Sequence, residues 1–127
     1  MGNFFKNKDR KERRISQRID PEDICLVEFS KPGQIQRKLG ELKDVSLNGI
    51  RFASNVRLDK NQPLQIYLYF PKNFPGTRWL SIKATVIRMS KPSGRERYRI
   101  GCHLHHENET TRERIRQFMF WLESHPQ

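Results

Sequence analysis

The stretch Leu64-Gln65-Ile66-Tyr67-Leu68-Tyr69-Phe70 sets four large apolar residues in strict alternation with Gln65, Tyr67 and Tyr69. Successive side chains of a strand leave opposite faces of the sheet, so this pattern reads as a strand with one buried face. Working towards the C-terminus, the same period returns in Leu80, Ile82, Ala84 and Val86, and again in Tyr98, Ile100, Cys102 and Leu104. Towards the N-terminus, Ile24 to Phe29, Ile35 to Val45 and Ile50 to Ala53 read as three further strands. Between the runs stand Lys31-Pro32-Gly33-Gln34, Pro63, Pro71, Pro75-Gly76 and Pro92-Ser93-Gly94, which favour turns and resist a continuing strand. Asn48-Gly49 predicts a tight hairpin built on positive φ.

The last segment changes period. Thr110-Thr111-Arg112-Glu113 reads as a capping box, followed by Ile115, Phe118, Met119 and Leu122 at helical spacing. The expected fold is therefore mainly β: a six-stranded antiparallel β-barrel with a C-terminal α-helix that plugs or covers an open end. Residues 21–124 hold this unit, and residues 1–20 read as a basic arm. From Lys6 to Arg18 the arm carries seven basic residues against two acidic ones and almost nothing apolar. Such a run buries too little surface to offset its ordering entropy, so it is expected to be flexible until a ligand fixes it.

The whole chain has 127 residues, 35% apolar and 31% charged, with a formal net charge of +11. That length suits one domain with a modest core. The charge raises the local concentration of anionic partners without choosing among them. Cys25 and Cys102 lie far apart, with no second pair to make a disulfide framework or zinc site, which points to a reducing, cytoplasmic setting. No run approaches the roughly 20 apolar residues that span a bilayer, so no membrane insertion is expected. Met1-Gly2-Asn3-Phe4-Phe5-Lys6 lacks a signal-peptide apolar core, and Lys6 breaks the myristoylation pattern.

Two stretches carry ligand chemistry: Arg14-Ile15-Ser16-Gln17-Arg18 in the arm, and Asp44-Val45-Ser46-Leu47-Asn48-Gly49 at the hairpin. Arginine offers a fixed fork of donors for phosphate oxygens or the O6/N7 edge of guanine, and a flat face for stacking. Asp44 and Ser46, two apart on a strand, share a face. The Asp44 carboxylate suits the N1–H and N2 amino group of a guanine, and the Ser46 hydroxyl a phosphate or a base. Gly49 has no side chain to keep a ligand from the turn's N–H groups. In order and placement the two stretches resemble the PilZ domain family, in which Arg-x-x-x-Arg precedes a β-barrel carrying Asp/Asn-x-Ser-x-x-Gly and the two bind cyclic di-GMP. The resemblance runs from about Arg14 to Leu122.

It implies a receptor in motility, pilus function or exopolysaccharide production, with Arg14, Arg18, Asp44, Ser46 and Gly49 on the ligand. Binding is expected to lock the arm and signal to a downstream protein. Some members of the family bind one nucleotide and others an intercalated dimer. Arg13 suits the dimer by stacking on an additional base, and its alternative is a solvated charge.

No nucleophile with its base, no paired carboxylates in an apolar setting and no phosphate loop stands at motif spacing, so a non-catalytic protein without a cofactor is expected. His103 and His105 share a strand face but have no third or fourth partner at ligand spacing, so no metal is expected. Phe120 and Trp121 lie off the main helical stripe and read either as core or as a contact surface for a partner protein. The other functional reading is a nucleic-acid-binding β-barrel, in which the arm tracks phosphates and the tyrosines or Trp79 stack on bases. A phosphate-tracking groove leaves the Asp44 carboxylate unexplained.

Overall fold

The structure, a computed structural model, describes residues 16–18, 25–91, 94 and 97–124; Arg13 and Arg14 lie outside them. Seven strands and one helix follow in order: β1 (Ser16–Arg18), β2 (Leu26–Ser30), β3 (Lys38–Ser46), β4 (Gly49–Ser54), β5 (Pro63–Tyr69), β6 (Trp79–Ser90), β7 (Tyr98–His105) and α1 (Glu109–Ser124). Every pairing is antiparallel. The order β3-β2-β5-β6-β7-β4 closes on itself through β3–β4, so six strands form a closed barrel. Strand β1 is the addition. It pairs with the C-terminal half of β3, continuing the edge that β2 covers along the N-terminal half.

The inward residues are those that the alternation marked. Leu64, Ile66, Leu68 and Phe70 are buried, as are Ile82, Ala84, Val86, Ile100, Cys102 and Leu104. Phe29 and Phe52 meet across the interior with ring centroids 5.0 Å apart. Burial pushes the Cys102 thiol up to about 12, so it remains protonated among the core hydrophobes.

Helix α1 lies across the end of the barrel where β5 and β7 finish and the β3–β4 turn sits. Ile115, Phe118, Met119 and Leu122 face the core. Phe118 joins Phe70 and Phe74, at centroid distances of 5.0 and 5.3 Å. Arg114 ties the β5–β6 loop to the helix: its Nη2 donates to the carbonyls of Pro75 at 2.7 Å and Thr77 at 2.8 Å, and its guanidinium lies 4.1 Å from the Phe74 ring centre. Of the two aromatics that sequence left open, Trp121 packs half-buried on Phe74 and Phe120 is exposed.

Two local expectations are corrected. The cap is Asn108, whose Oδ1 accepts from the Thr111 amide at 3.1 Å, and not Thr110. Glu109 therefore opens the helix and meets the positive end of its dipole. At the hairpin, neither Asn48 nor Gly49 has positive φ; the positive-φ residues among those described are Gly33, Asn61, Gly76 and Gly94. Gly49 is required for a different reason, given below.

Candidate functional site

Strand alternation counted from Leu42, which is buried, would send Asp44 into the core. It points outward because β3 carries a bulge between Leu42 and Asp44. Leu42 and Val45, three apart, both reach the core, while their partners Phe52 and Ile50 on β4 are two apart. The extra residue reverses the parity of the strand from that point. A second bulge, between Val86 and Arg88 on β6, does the same: Val86 and Met89 face Cys102 and Ile100, and Arg88 is turned outward opposite Gly101.

With both bulges in place, one line of opposed residues crosses five strands on the outer wall: Arg18, Asp44, Arg51, Gly101 and Arg88. A second line, one pleat over, holds Ser16, Ser46, Gly49, His103 and Thr85. The buried residues Val45, Ile50, Cys102 and Val86 form the row between them. Asp44, Ser46, Gly49, Arg51, Arg88 and Gly101 line one open hollow of about 320 Å³. The two motifs, far apart in sequence, thus meet through the pairing of Arg18 with Asp44. Of the expected site residues, Asp44, Ser46 and Gly49 come together here, Arg18 arrives by its backbone, and Arg13 and Arg14 fall outside the described residues.

The wall is preorganised. Arg51 Nε donates to Asp44 Oδ2 at 2.9 Å, and Nη2 donates to the same oxygen. The Asp44 side chain is only 10% exposed, against 65% for Arg51, so the arginine is the solvent-facing partner of a sunken carboxylate. Ser46 Oγ donates to the Gly49 carbonyl at 3.1 Å and closes the hairpin on itself. The turn is held from outside as well: the Leu104 amide donates to the Asn48 carbonyl at 2.8 Å, and His106 Nε2 donates to the Leu47 carbonyl at 2.6 Å.

A Cβ on Gly49 would stand 2.9 Å from the Cys102 carbonyl oxygen, closer than real Cβ atoms approach backbone. Gly49→Ala is therefore expected to push β4 from β7 and to cost about 1–3 kcal/mol. A urea midpoint equal to that of wild type would contradict this.

Sequence reasoning did not single out Arg51, Gly101 or Arg88. Arg51 was within reach, since it follows Gly49 at a spacing of two and so shares its face. Arg88 depends on a bulge that nothing in the local pattern marks. His103 and His105 do share a face, with rings 5.0 Å apart, and His105 Nε2 lies 2.7 Å from Thr85 Oγ1. Among the described residues, no three His, Cys, Asp or Glu side chains gather as metal ligands would.

Compared with known families, residues 9–121 match the PilZ domain. The chain belongs to the PilZ domain family. Among solved structures, this PilZ chain is similar to the PilZ domain of YcgR from Escherichia coli, solved with c-di-GMP, at 15% identity and a TM-score of 0.70, covering 86% of this chain and 88% of that one. It is also similar to the Bacillus subtilis inhibitor of motility MotI/DgrA, at 16% identity and a TM-score of 0.67, over 88% and 52% of the respective chains. A third likeness is to MrkH of K. pneumonia in its c-di-GMP complex, at 16% identity and a TM-score of 0.70, over 86% and 51%. The PilZ chain described here thus spans about half the length of the Bacillus and Klebsiella proteins. At these identities the likeness is one of fold. No curated protein matches the sequence.

Proposed function

We propose that this PilZ domain is a non-catalytic receptor for cyclic di-GMP, which rests on the outer wall around Asp44 and is held by Arg14 and Arg18 from the arm. The register that sets Arg18 opposite Asp44 is the observation that carries the reading. It brings a guanidinium-bearing strand beside a carboxylate and a hydroxyl on one face, a combination that complements a guanine edge and a phosphate together. Solved PilZ domains of the same fold hold c-di-GMP. Residues 1–20 then act as the arm and residues 21–124 as its platform, and ligand binding orders the arm into a new surface for a downstream cytoplasmic protein. Arg13 supplies a stacking face for a second, intercalated nucleotide.

The nucleic-acid reading is weaker because Asp44 sits in the middle of the cationic line, where it repels a sugar-phosphate backbone. Calorimetric titration of the wild type tests the assignment. Cyclic di-GMP is expected to bind with a Kd of about 1 μM or tighter, near two ligands per chain. GTP and cyclic di-AMP should bind at least about tenfold more weakly. Affinity should fall only modestly with salt, unlike phosphate-tracking binding. No heat at millimolar cyclic di-GMP overturns the proposal.

A further inference from the structure

Two arginines stand on the wall outside both family motifs. Arg51 is committed to Asp44. Arg88 is exposed, lines the same hollow and has no hydrogen-bonding or acidic partner among the described residues. Between them, on β7, lies Gly101.

The two glycines of this wall differ. Gly49 is demanded by the Cys102 carbonyl, whereas a Cβ on Gly101 would meet only Arg88 Cβ at 3.6 Å, Arg88 O at 3.8 Å and Arg51 Cγ at 3.9 Å, which are ordinary contacts. Gly101 also lacks positive φ. The fold therefore does not require glycine there, although glycine inside a strand weakens it and lets another group approach closely. Its effect is a bare floor between two arginine stems. A carbon standing on Gly101 would lie 3.6 Å from the Arg88 stem and 3.9 Å from the Arg51 stem, and a flat ring held between two stems makes contact at about 3.5–4.0 Å on each side. The β6 bulge, a device that re-aims side chains next to sites, turns Arg88 towards this gap.

We infer that Arg51, Gly101 and Arg88 form a slot for a guanine ring, with Arg88 a ligand-binding residue that stacks its flat face on the base. This rests on the cyclic di-GMP reading above and adds a subsite on the side of Asp44 opposite the arm.

The test is calorimetry with cyclic di-GMP on wild type, Arg88→Ala, Arg88→Lys and Gly101→Val, with melting temperatures in parallel. Arg88→Ala is expected to bind about tenfold more weakly at an unchanged melting temperature. Arg88→Lys should not restore affinity, because an ammonium has no stacking plane. Gly101→Val, which fills the gap with two methyls, should weaken binding to a similar degree. Wild-type affinity in Arg88→Ala, or full rescue by Arg88→Lys, overturns the slot while leaving the receptor assignment intact. A wild type that binds no cyclic di-GMP defeats the receptor assignment, and the slot with it. If Gly101→Val does not fold, the two Arg88 variants still decide.

Discussion

Arg18→Ala and Asp44→Ala each bind cyclic di-GMP about 10- to 150-fold more weakly than wild type, at nearly unchanged stability. The range follows from losing one charge-assisted hydrogen bond, about 1.5–3 kcal/mol. The two residues are register partners on β1 and β3, so each loss falls at one place on the proposed ligand-binding wall. Stability should hold for Asp44→Ala because its ion pair with Arg51 is solvent-facing on the arginine side, and such pairs are worth about 0–1 kcal/mol. The two variants differ in kind. Arg18→Ala removes a donor for phosphate or a guanine edge, whereas Asp44→Ala removes the acceptor for guanine N1–H and N2 and also releases Arg51. Asp44→Ala should therefore narrow the preference for cyclic di-GMP over cyclic di-AMP, and Arg18→Ala should weaken both. Titration of both variants with both nucleotides measures this, and affinities within twofold of wild type would refute it.

Phe118→Ala loses about 3–5 kcal/mol of stability, the range for removing a fully buried phenyl ring. Phe118 has no exposed surface and stands where Phe70, Phe74 and Trp121 converge. Removing it leaves a cavity between helix and barrel that the closed sheet cannot collapse to fill. For a domain whose total stability is of the order of 5–15 kcal/mol, that is enough to loosen α1 from the barrel end. Phe120→Ala is the internal contrast: Phe120 is 62% exposed, and its loss should change stability by less than about 0.5 kcal/mol. Urea unfolding of both variants is the measurement. A Phe118→Ala loss below about 1 kcal/mol, or equal losses in the two, would show that the helix does not close the core.

The gap between the sequence reading and the structure is instructive at single residues. Leu64, Ile66, Leu68 and Phe70 declared their strand because burial on one face imposes a period of two on the residues themselves. The helix was equally legible from Ile115, Phe118, Met119 and Leu122, but its first residue was not. Thr110 and Glu113 have the spacing of a capping box, whereas Asn108 had the better position to receive the Thr111 amide. Gly49 was rightly read as a special position and given the wrong cause. Its neighbour in space, the Cys102 carbonyl, belongs to a strand more than fifty residues away.

By itself the sequence determined six alternating strands, a closing amphipathic helix, a basic N-terminal segment and the two family motifs, because each is written in neighbouring residues. Which way Asp44 points, that Arg18 lies opposite it, and that Arg51, Gly101 and Arg88 extend the same line were decided only by the tertiary structure. The reason is register: a bulge exists only relative to a partner strand, and one extra residue on β3 or β6 reverses which side chains face the core and which face solvent.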